Sequence, residues 1–566
     1  MRGHLKACAL ILAVAGPLLV AGLWLPSLAN DEAVYCYWTS LGWGDMMRAL
    51  AGDNYPPLYF VMLKLWRSAA GTGEVALRLS SVPFALATVW LLWAWCRCRL
   101  GGRVAALAAG LLAASPLFLF LARLGKYFAL FGLLALAATL LLWTLTTPEV
   151  RRRPLRAQPR TVAAWLVVTA LLPWVHYLGF AVWFALGVWL AALLVAERGA
   201  CARAWRLAGG LGAAALLFAP QAWVVARQVA AVAESAGAGA APPPVGWART
   251  LVQLGYTAHA FVLGHTVEVS RLWPTALALA AGAVALGAGM LAVARGAVPG
   301  TGGVWGGGGG AAACEADGGG DATGRAGGAC PEGSVPRGAL PFCLLMFALQ
   351  AGAAYAVIRV SLPGLHDLAV CERLAFALPL LMPVAAAGLL WLPRRWRMVL
   401  AVAYGVPLVV SLGGMVTNRE NNVWDYVAPW RGIAADVARL PAPRAVVFDN
   451  WHLGSRGWYY LSGDAAVFVP LRQAAEGGGG VDAAIGAALA RRPASVVLVR
   501  SRRDSSPGSH VDAASRALAA ALGPPDGAAD YVRDSDATMR LKRLMRRGTG
   551  VETFDGKLRA EWWVGR

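Results

Sequence analysis

Two carboxylates, Asp31 and Glu32, stand directly behind a long apolar run that ends near Leu28. A carboxylate within hydrogen-bond reach of a hydroxyl can take its proton as that hydroxyl attacks. Beside a membrane surface, the pair lies where a lipid-linked substrate presents its headgroup. The same segment continues through Asp53-Asn54-Tyr55-Pro56-Pro57-Leu58-Tyr59. The residue before a proline avoids the α region, so the double proline denies an earlier helix start. Leu58 to Trp66 is apolar but too short to span, and reads as a helix lying in the interface with Trp66 and Arg67 at its end. Farther along come Arg123, Lys126 and Tyr127, then His176, then Glu372 and Arg373. Fixed cations at such a surface suit an anionic oxygen. Plainer readings stand beside these. The acidic pair can be a solvated helix end, Arg123 and Lys126 can snorkel to the headgroups, His176 can be an aromatic partner, and Glu372 can simply pair with Arg373.

The elements that must position these residues are membrane helices. The chain has 566 residues, 58% hydrophobic and 14% charged, too little charge to cover a soluble surface. Its apolar residues fall in blocks, such as Ala7 to Leu28, Val104 to Leu121, Leu130 to Leu145 and Leu374 to Leu392. A helix needs about 20 such residues to cross the hydrocarbon. The net charge of +20 sits mainly in short loops and the C-terminal segment, with no basic stripe interleaved with aromatics. That pattern is topology rather than nucleic-acid binding. The 25 Trp residues suit headgroup-level anchoring. The nine Cys residues form no CxxC pair.

Arg2 and Lys6 ahead of the first apolar run make it a retained signal anchor with a cytoplasmic N-terminus. Further spans are expected near 79–96, 104–122, 127–146, 161–176, 178–196, 205–226, 273–295, 340–360, 373–393 and 398–416. The count is about eleven, and Arg clusters at 97–103, 151–160, 198–206 and 394–397 agree with the alternation. The odd count leaves the C-terminal segment outside. Gly300 to Arg337 is Gly-rich, without a strand before it or GK[ST] after it, and reads as a disordered cytoplasmic loop within 300–338. Residues 417–566 change character. Ala445 to Phe448, Ala466 to Val469 and Ser495 to Val499 read as strands, alternating with helices over Asp482 to Ala490 and Ala513 to Leu522. The fold class expected is an all-α polytopic membrane domain, 1–416, with a small C-terminal α/β extracytoplasmic domain.

The order and placement of these residues resemble the GT-C superfamily of membrane glycosyltransferases. The branch is that of bacterial relatives of dolichyl-phosphate-mannose protein mannosyltransferases and lipid A aminoarabinose transferases. The resemblance rests on Asp31-Glu32, on Asp53 to Tyr59 as a DxHPPLYY-like segment, and on Ala76 to Ser81 entering the second helix. It continues through Ala122 to Tyr127, His176-Tyr177, Glu372-Arg373 with Pro379, and Trp430-Arg431. Two positions depart: Tyr55 stands where the family has His, and Lys126 where it has a second Arg. Lys keeps the charge without the bidentate fork.

The resemblance implies transfer of a sugar from a polyprenyl-phosphate donor, with inversion, in a bacterial inner membrane. Asp31 would be the base, with Glu32 positioning it or the acceptor. Arg123, Lys126 and Arg373 would hold the phosphate. Asp53, Tyr55, Tyr59, Tyr127 and His176 would shape the substrate pocket. The partners are then the donor lipid, membrane lipids and an acceptor that is protein, lipid A or another glycan. No cofactor is called for, and a divalent metal on Asp31 stays open. Two other functions compete: a flippase or transporter of a lipid-linked sugar, and a catalytically silent relative. No repeat of the first half appears in the second, against the habit of many transporters.

Overall fold

The computed structural model describes the chain apart from residues 1, 54, 148–153, 197–200, 238–246, 268–271, 296–337, 362–366, 418–429, 449–450, 462–464, 472–479, 502–508, 532–557 and 566. The Gly-rich loop therefore lies outside the described residues.

The N-terminal part is helical. Its first nine helices are α1 (Arg2–Val20), α2 (Asn30–Ser40), α3 (Trp43–Ala51), α4 (Leu58–Ala70), α5 (Glu74–Leu79), α6 (Val82–Leu100), α7 (Gly102–Ala114), α8 (Pro116–Ala122) and α9 (Phe128–Thr146). Helices over Pro159–Val175, Gly179–Ala196, Cys201–Gly237, Trp247–Leu263, Leu272–Ala294, Ala339–Ser361, Asp367–Leu374, Met382–Trp391 and Arg394–Thr417 follow. Among the described residues, six helices are long and apolar enough to cross a membrane, or up to eight if each of two bent pairs counts once. Three of the eleven expected spans are shorter, as the apolar helices Lys6–Val20, Pro159–Val175 and Gly179–Val195. The sequence reading did not place the helix Trp247–Leu263, because Arg249, Gln253 and His259 break its apolar run in the sequence.

Both bends have a local cause. At the 61° break between α7 and α8, Ser115 caps the second helix by accepting from the Phe118 N–H, and Pro116 opens it. Proline is favoured there because its missing N–H is one of the unpaired donors of a helix start. At the 56° break, Pro379 and Pro383 flank the turn. The double proline Pro56-Pro57 likewise sets the start of α4. This helix buries Tyr59, Phe60, Leu63 and Arg67 and ends at Gly71 with φ 98°, a left-handed position suited to glycine.

The C-terminal part is a five-stranded mixed sheet ordered β2-β1-β3-β5-β4. The strands are β1 (Arg444–Phe448), β2 (Ala465–Pro470), β3 (Ser495–Ser501), β4 (Gly527–Tyr531) and β5 (Leu558–Val564). β1 runs parallel to β2 and β3, while β5 runs antiparallel to β3 and β4. Alternation sends Val446, Phe448, Val497 and Val499 to one face, packed with Trp430, Ile433 and Val437. Ala445, Val447, Val496 and Leu498 face the other way, onto Ile485, Val511 and Leu518. A sheet covered on both faces explains why its central strands read as continuous apolar runs.

Candidate active site

The site is built at the N-terminus of α2, where Asp31 and Glu32 lie in the first turn. Carboxylates are favoured there by the helix dipole. Glu32 turns inward and is fully buried. Its Oε2 accepts from the Ala29 N–H at 2.8 Å and from Arg78 Nη2 at 2.8 Å. Its Oε1 accepts from Arg78 Nε at 3.0 Å and from the Gly125 N–H at 2.9 Å. A carboxylate offers about four acceptor positions, so Glu32 is saturated. Arg78 spends its remaining donors on the carbonyls of Leu23, Pro26 and Ser27, at 2.7, 2.8 and 2.9 Å. Burial alone would raise the Glu32 pKa. The charge and hydrogen bonds of Arg78, with the N–H groups of Gly125 and Ala29, outweigh it and leave the pKa lowered.

The Gly125 bond carries the geometry onward. A Cβ at Gly125 would collide with the Leu77 side chain, so only glycine lets this turn sit against α5. The next residue, Lys126, is 5% exposed and places Nζ 2.7 Å from Asp31 Oδ2. The Asp31 side chain is 38% exposed. The two adjacent acids therefore differ: Glu32 is locked inside and Asp31 faces outward.

Aromatic rings wall this pair. Tyr127 stacks on His176 with centroids 4.2 Å apart, and Phe131 closes the other side of His176 at 5.7 Å. Tyr55 meets Tyr35, Trp38 and Phe60 edge-on at 5.6–5.8 Å and stands 6.4 Å from Tyr127. Tyr59 is buried and lies 6.4 Å from Tyr127. The charges of Asp31, Lys126 and Arg373 all act on Tyr55 and on Tyr127, which brings Arg373 into the group.

Burial pushes the Tyr127 hydroxyl up to about 12 and that of Tyr55 higher still. Both stay protonated donors at neutral pH. Burial, reinforced by the positive charge of Arg373, drives His176 down to about 3, so its ring is neutral and a weak base. Its Nδ1 accepts from the Leu178 N–H at 3.1 Å.

Other residues singled out from the sequence are held elsewhere. Arg123 is buried and donates Nη2 to the Ala21 carbonyl. Burial, then the nearby charge of Arg78, lowers it to about 10. The backbone carbonyl of Asp53 accepts from Gln228 Nε2. Gln228 also donates to the Leu50 carbonyl at 3.1 Å and accepts from the Tyr177 hydroxyl at 2.8 Å. Glu372 places Oε1 3.7 Å from His265 Nε2.

Three contributors escaped the sequence reading: Arg78, Gln228 and Tyr177. Arg78 and Tyr177 lay in segments already noted, but nothing in the sequence tied Arg78 to Glu32, 46 positions earlier.

The Asp31 carboxylate already holds Lys126. Among the described residues, no group of three or more His, Cys, Asp or Glu is arranged to hold a metal ion.

No family model and no curated protein sequence matches the chain. Solved structures do. ArnT from Cupriavidus metallidurans bound to undecaprenyl phosphate matches with a TM-score of 0.53 at 14% identity, over 98% of this chain and 97% of that one. The same protein in the apo state matches with a TM-score of 0.53 at 14% identity, over 93% and 96%. The Archaeoglobus fulgidus oligosaccharyltransferase in its apo form gives 0.48 at 12% identity, over 89% of this chain and 70% of that one. The chain is a multi-pass integral membrane protein whose fold is similar to that of ArnT.

Proposed function

We propose that the protein transfers a sugar from a polyprenyl-phosphate-linked donor to an acceptor hydroxyl on the extracytoplasmic face of a bacterial inner membrane. The observation that carries this reading is the partly exposed Asp31 carboxylate. It is paired to a buried lysine, grouped with Arg373 and walled by tyrosines, in a fold shared with a protein solved bound to undecaprenyl phosphate.

The roles follow from chemistry. The acceptor oxygen attacks the anomeric carbon and the bond from that carbon to the phosphate oxygen breaks. The acceptor proton goes to Asp31, and the electron pair leaves with the polyprenyl phosphate. A positioned base typically contributes roughly 10²–10⁴-fold. Lys126 and Arg373 counter the charge gathering on the phosphate, and low-dielectric surroundings strengthen such fixed cations. A single displacement of this kind inverts the anomeric centre. Tyr55, Tyr59, Tyr127 and His176 wall the sugar, and Glu32 positions the helix that carries the base. Arg123, bound to the Ala21 carbonyl, is assigned to that helix junction.

The eleven spans expected from the sequence support the sidedness: six of them fall on long apolar helices, two on bent pairs and three on shorter apolar helices. Under that alternation, with the N-terminus cytoplasmic, Asp31, Lys126, His176 and Arg373 all fall at outer ends. Their convergence favours this topology, which also leaves 417–566 as an extracytoplasmic domain.

The test uses purified protein in lipid vesicles with a panel of radiolabelled polyprenyl-phosphate sugars and varied acceptors. Turnover by the wild type, lost by about 10²-fold or more in Asp31→Asn with donor binding kept, supports the assignment. Undiminished transfer by Asp31→Asn refutes the base. Donor bound but never consumed points to transport or a silent relative.

A further inference from the structure

The C-terminal α/β region reaches back to the helix that carries Asp31. Arg431, in the helix Trp430–Ala438, lays its guanidinium across Glu74, with Nε 3.1 Å from Oε1 and Nη2 on Oε2. The same group donates to the Trp24 carbonyl, and the Arg431 N–H lies 3.4 Å from Ser27 Oγ. Tyr460, in the helix Trp451–Leu461, donates its hydroxyl to Glu74 Oε1 at 2.9 Å and accepts from the Leu28 N–H at 2.7 Å. Two positions earlier, Trp458 packs edge-on against Tyr37 of α2 with centroids 5.1 Å apart.

Glu74 is also 3.9 Å from Arg78 Nη1, and Arg78 holds Glu32. An unbroken polar chain thus runs from Tyr460 and Arg431 through Glu74 and Arg78 to Glu32, beside Asp31. Its ends are about four hundred residues apart in sequence. Both arms grip the 24–28 segment, which is the entry to α2, from outside. Arg78 grips the carbonyls of Leu23, Pro26 and Ser27 from inside.

We infer that Tyr460 and Arg431 are positioning residues: from the C-terminal region they hold the N-terminus of α2, and with it Asp31, in place. The consequence for catalysis rests on the reaction proposed above. The mechanical link does not. Coupling of this kind needs an element that both ends bias, and here that element is the 24–32 segment.

The experiment compares Tyr460→Phe with wild type in full-length protein in lipid. This variant removes one oxygen, leaving the Leu28 N–H without its acceptor and Glu74 without one donor. Glu74→Gln keeps the size and removes the charge. An exposed ion pair, Arg516 to Asp512, supplies the control Arg516→Ala.

Amide hydrogen exchange over 28–36 rises roughly tenfold in Tyr460→Phe, as the loss of two hydrogen bonds implies. Exchange over Phe128–Thr146 stays fixed, and the control changes neither. kcat falls roughly tenfold with donor KM little changed, because a small misplacement of a reacting group costs rate before it costs binding. Glu74→Gln moves both readouts the same way, and the double variant falls short of the sum. Unchanged exchange over 28–36 in both variants overturns the link. Raised exchange with unaltered kcat overturns the positioning role. If the wild type transfers no sugar from any donor, the proposed reaction fails, and exchange alone decides the link.

Discussion

The replacement of Arg78 by Met tests the buried centre most directly. The side chain is 2% exposed, and Met keeps much of its length without charge. The substitution removes two hydrogen bonds from Glu32 and the donors to three carbonyls, of Leu23, Pro26 and Ser27. It leaves a carboxylate in a buried site with only the Ala29 and Gly125 N–H groups as donors. Breaking such a pair on one side typically costs about 3–5 kcal/mol, because the remaining charge is uncompensated. The double variant Arg78→Met with Glu32→Gln leaves no charge behind and recovers part of the loss.

The dependence on pH has a definite sign. In the wild type the Glu32 pKa is lowered on folding. Its stabilisation is therefore fully present above the ordinary carboxylate range and is lost as pH falls through the depressed value. In Arg78→Met burial is opposed only by the Ala29 and Gly125 N–H bonds, so the Glu32 pKa rises relative to wild type and the penalty shrinks on acidification. Denaturant titration in micelles at pH 7 and near the ordinary carboxylate pKa reads both effects. A loss below about 1 kcal/mol at pH 7, the size of an exposed pair, refutes the reasoning. So does an unchanged acid dependence in the variant.

Two further outcomes follow. Gly125→Ala sets a Cβ against the Leu77 side chain and costs about 1–3 kcal/mol of stability as overpacking. Adding Leu77→Ala recovers part of that stability if the clash is the cause, and fails to if it is not. His176, driven to about 3 by burial and Arg373, is neutral from pH 5 to 8. The kcat/KM profile in that window keeps its shape in His176→Phe, and a limb near the ordinary histidine pKa that vanishes in the variant contradicts the assignment.

Much of the fold was legible because membrane crossing and sheet burial both write long apolar runs. The blocks behind the six long helices and both bent pairs were visible, as were β1, β2 and β3. β4 and β5 were missed for different reasons. Gly527–Tyr531 carries Gly, Ala and Asp in place of β-branched residues, and Leu558–Val564 mixes Arg559 and Glu561 into its run. Glu561 pairs across the sheet with Arg500 at 2.8 Å and along its own strand with Arg559 at 3.0 Å, so the charges that disguised the strand are paired. At the site, residue types and loop order were legible but partners were not. Nothing in Arg123 and Lys126, three residues apart, told that one would meet the Ala21 carbonyl and the other Asp31.

The acidic pair shows where sequence reasoning stops and geometry takes over. Successive residues of a helix point about 100° apart, so Asp31 and Glu32 cannot share one task at one place. Which of them turns inward depends on where the complementary arginine lies. Arg78 lies behind Glu32, where its five donors are all taken by Glu32 and the 23–27 carbonyls. A carboxylate so saturated has no lone pair left to receive a proton from a substrate. Asp31, held by Lys126, is the one whose side chain is 38% exposed. The buried acid thus holds the helix end and the Gly125 turn in register, and that register brings Lys126 to the acid that faces outward. Two adjacent carboxylates that look equivalent in the sequence divide into one that builds the site and one that faces it.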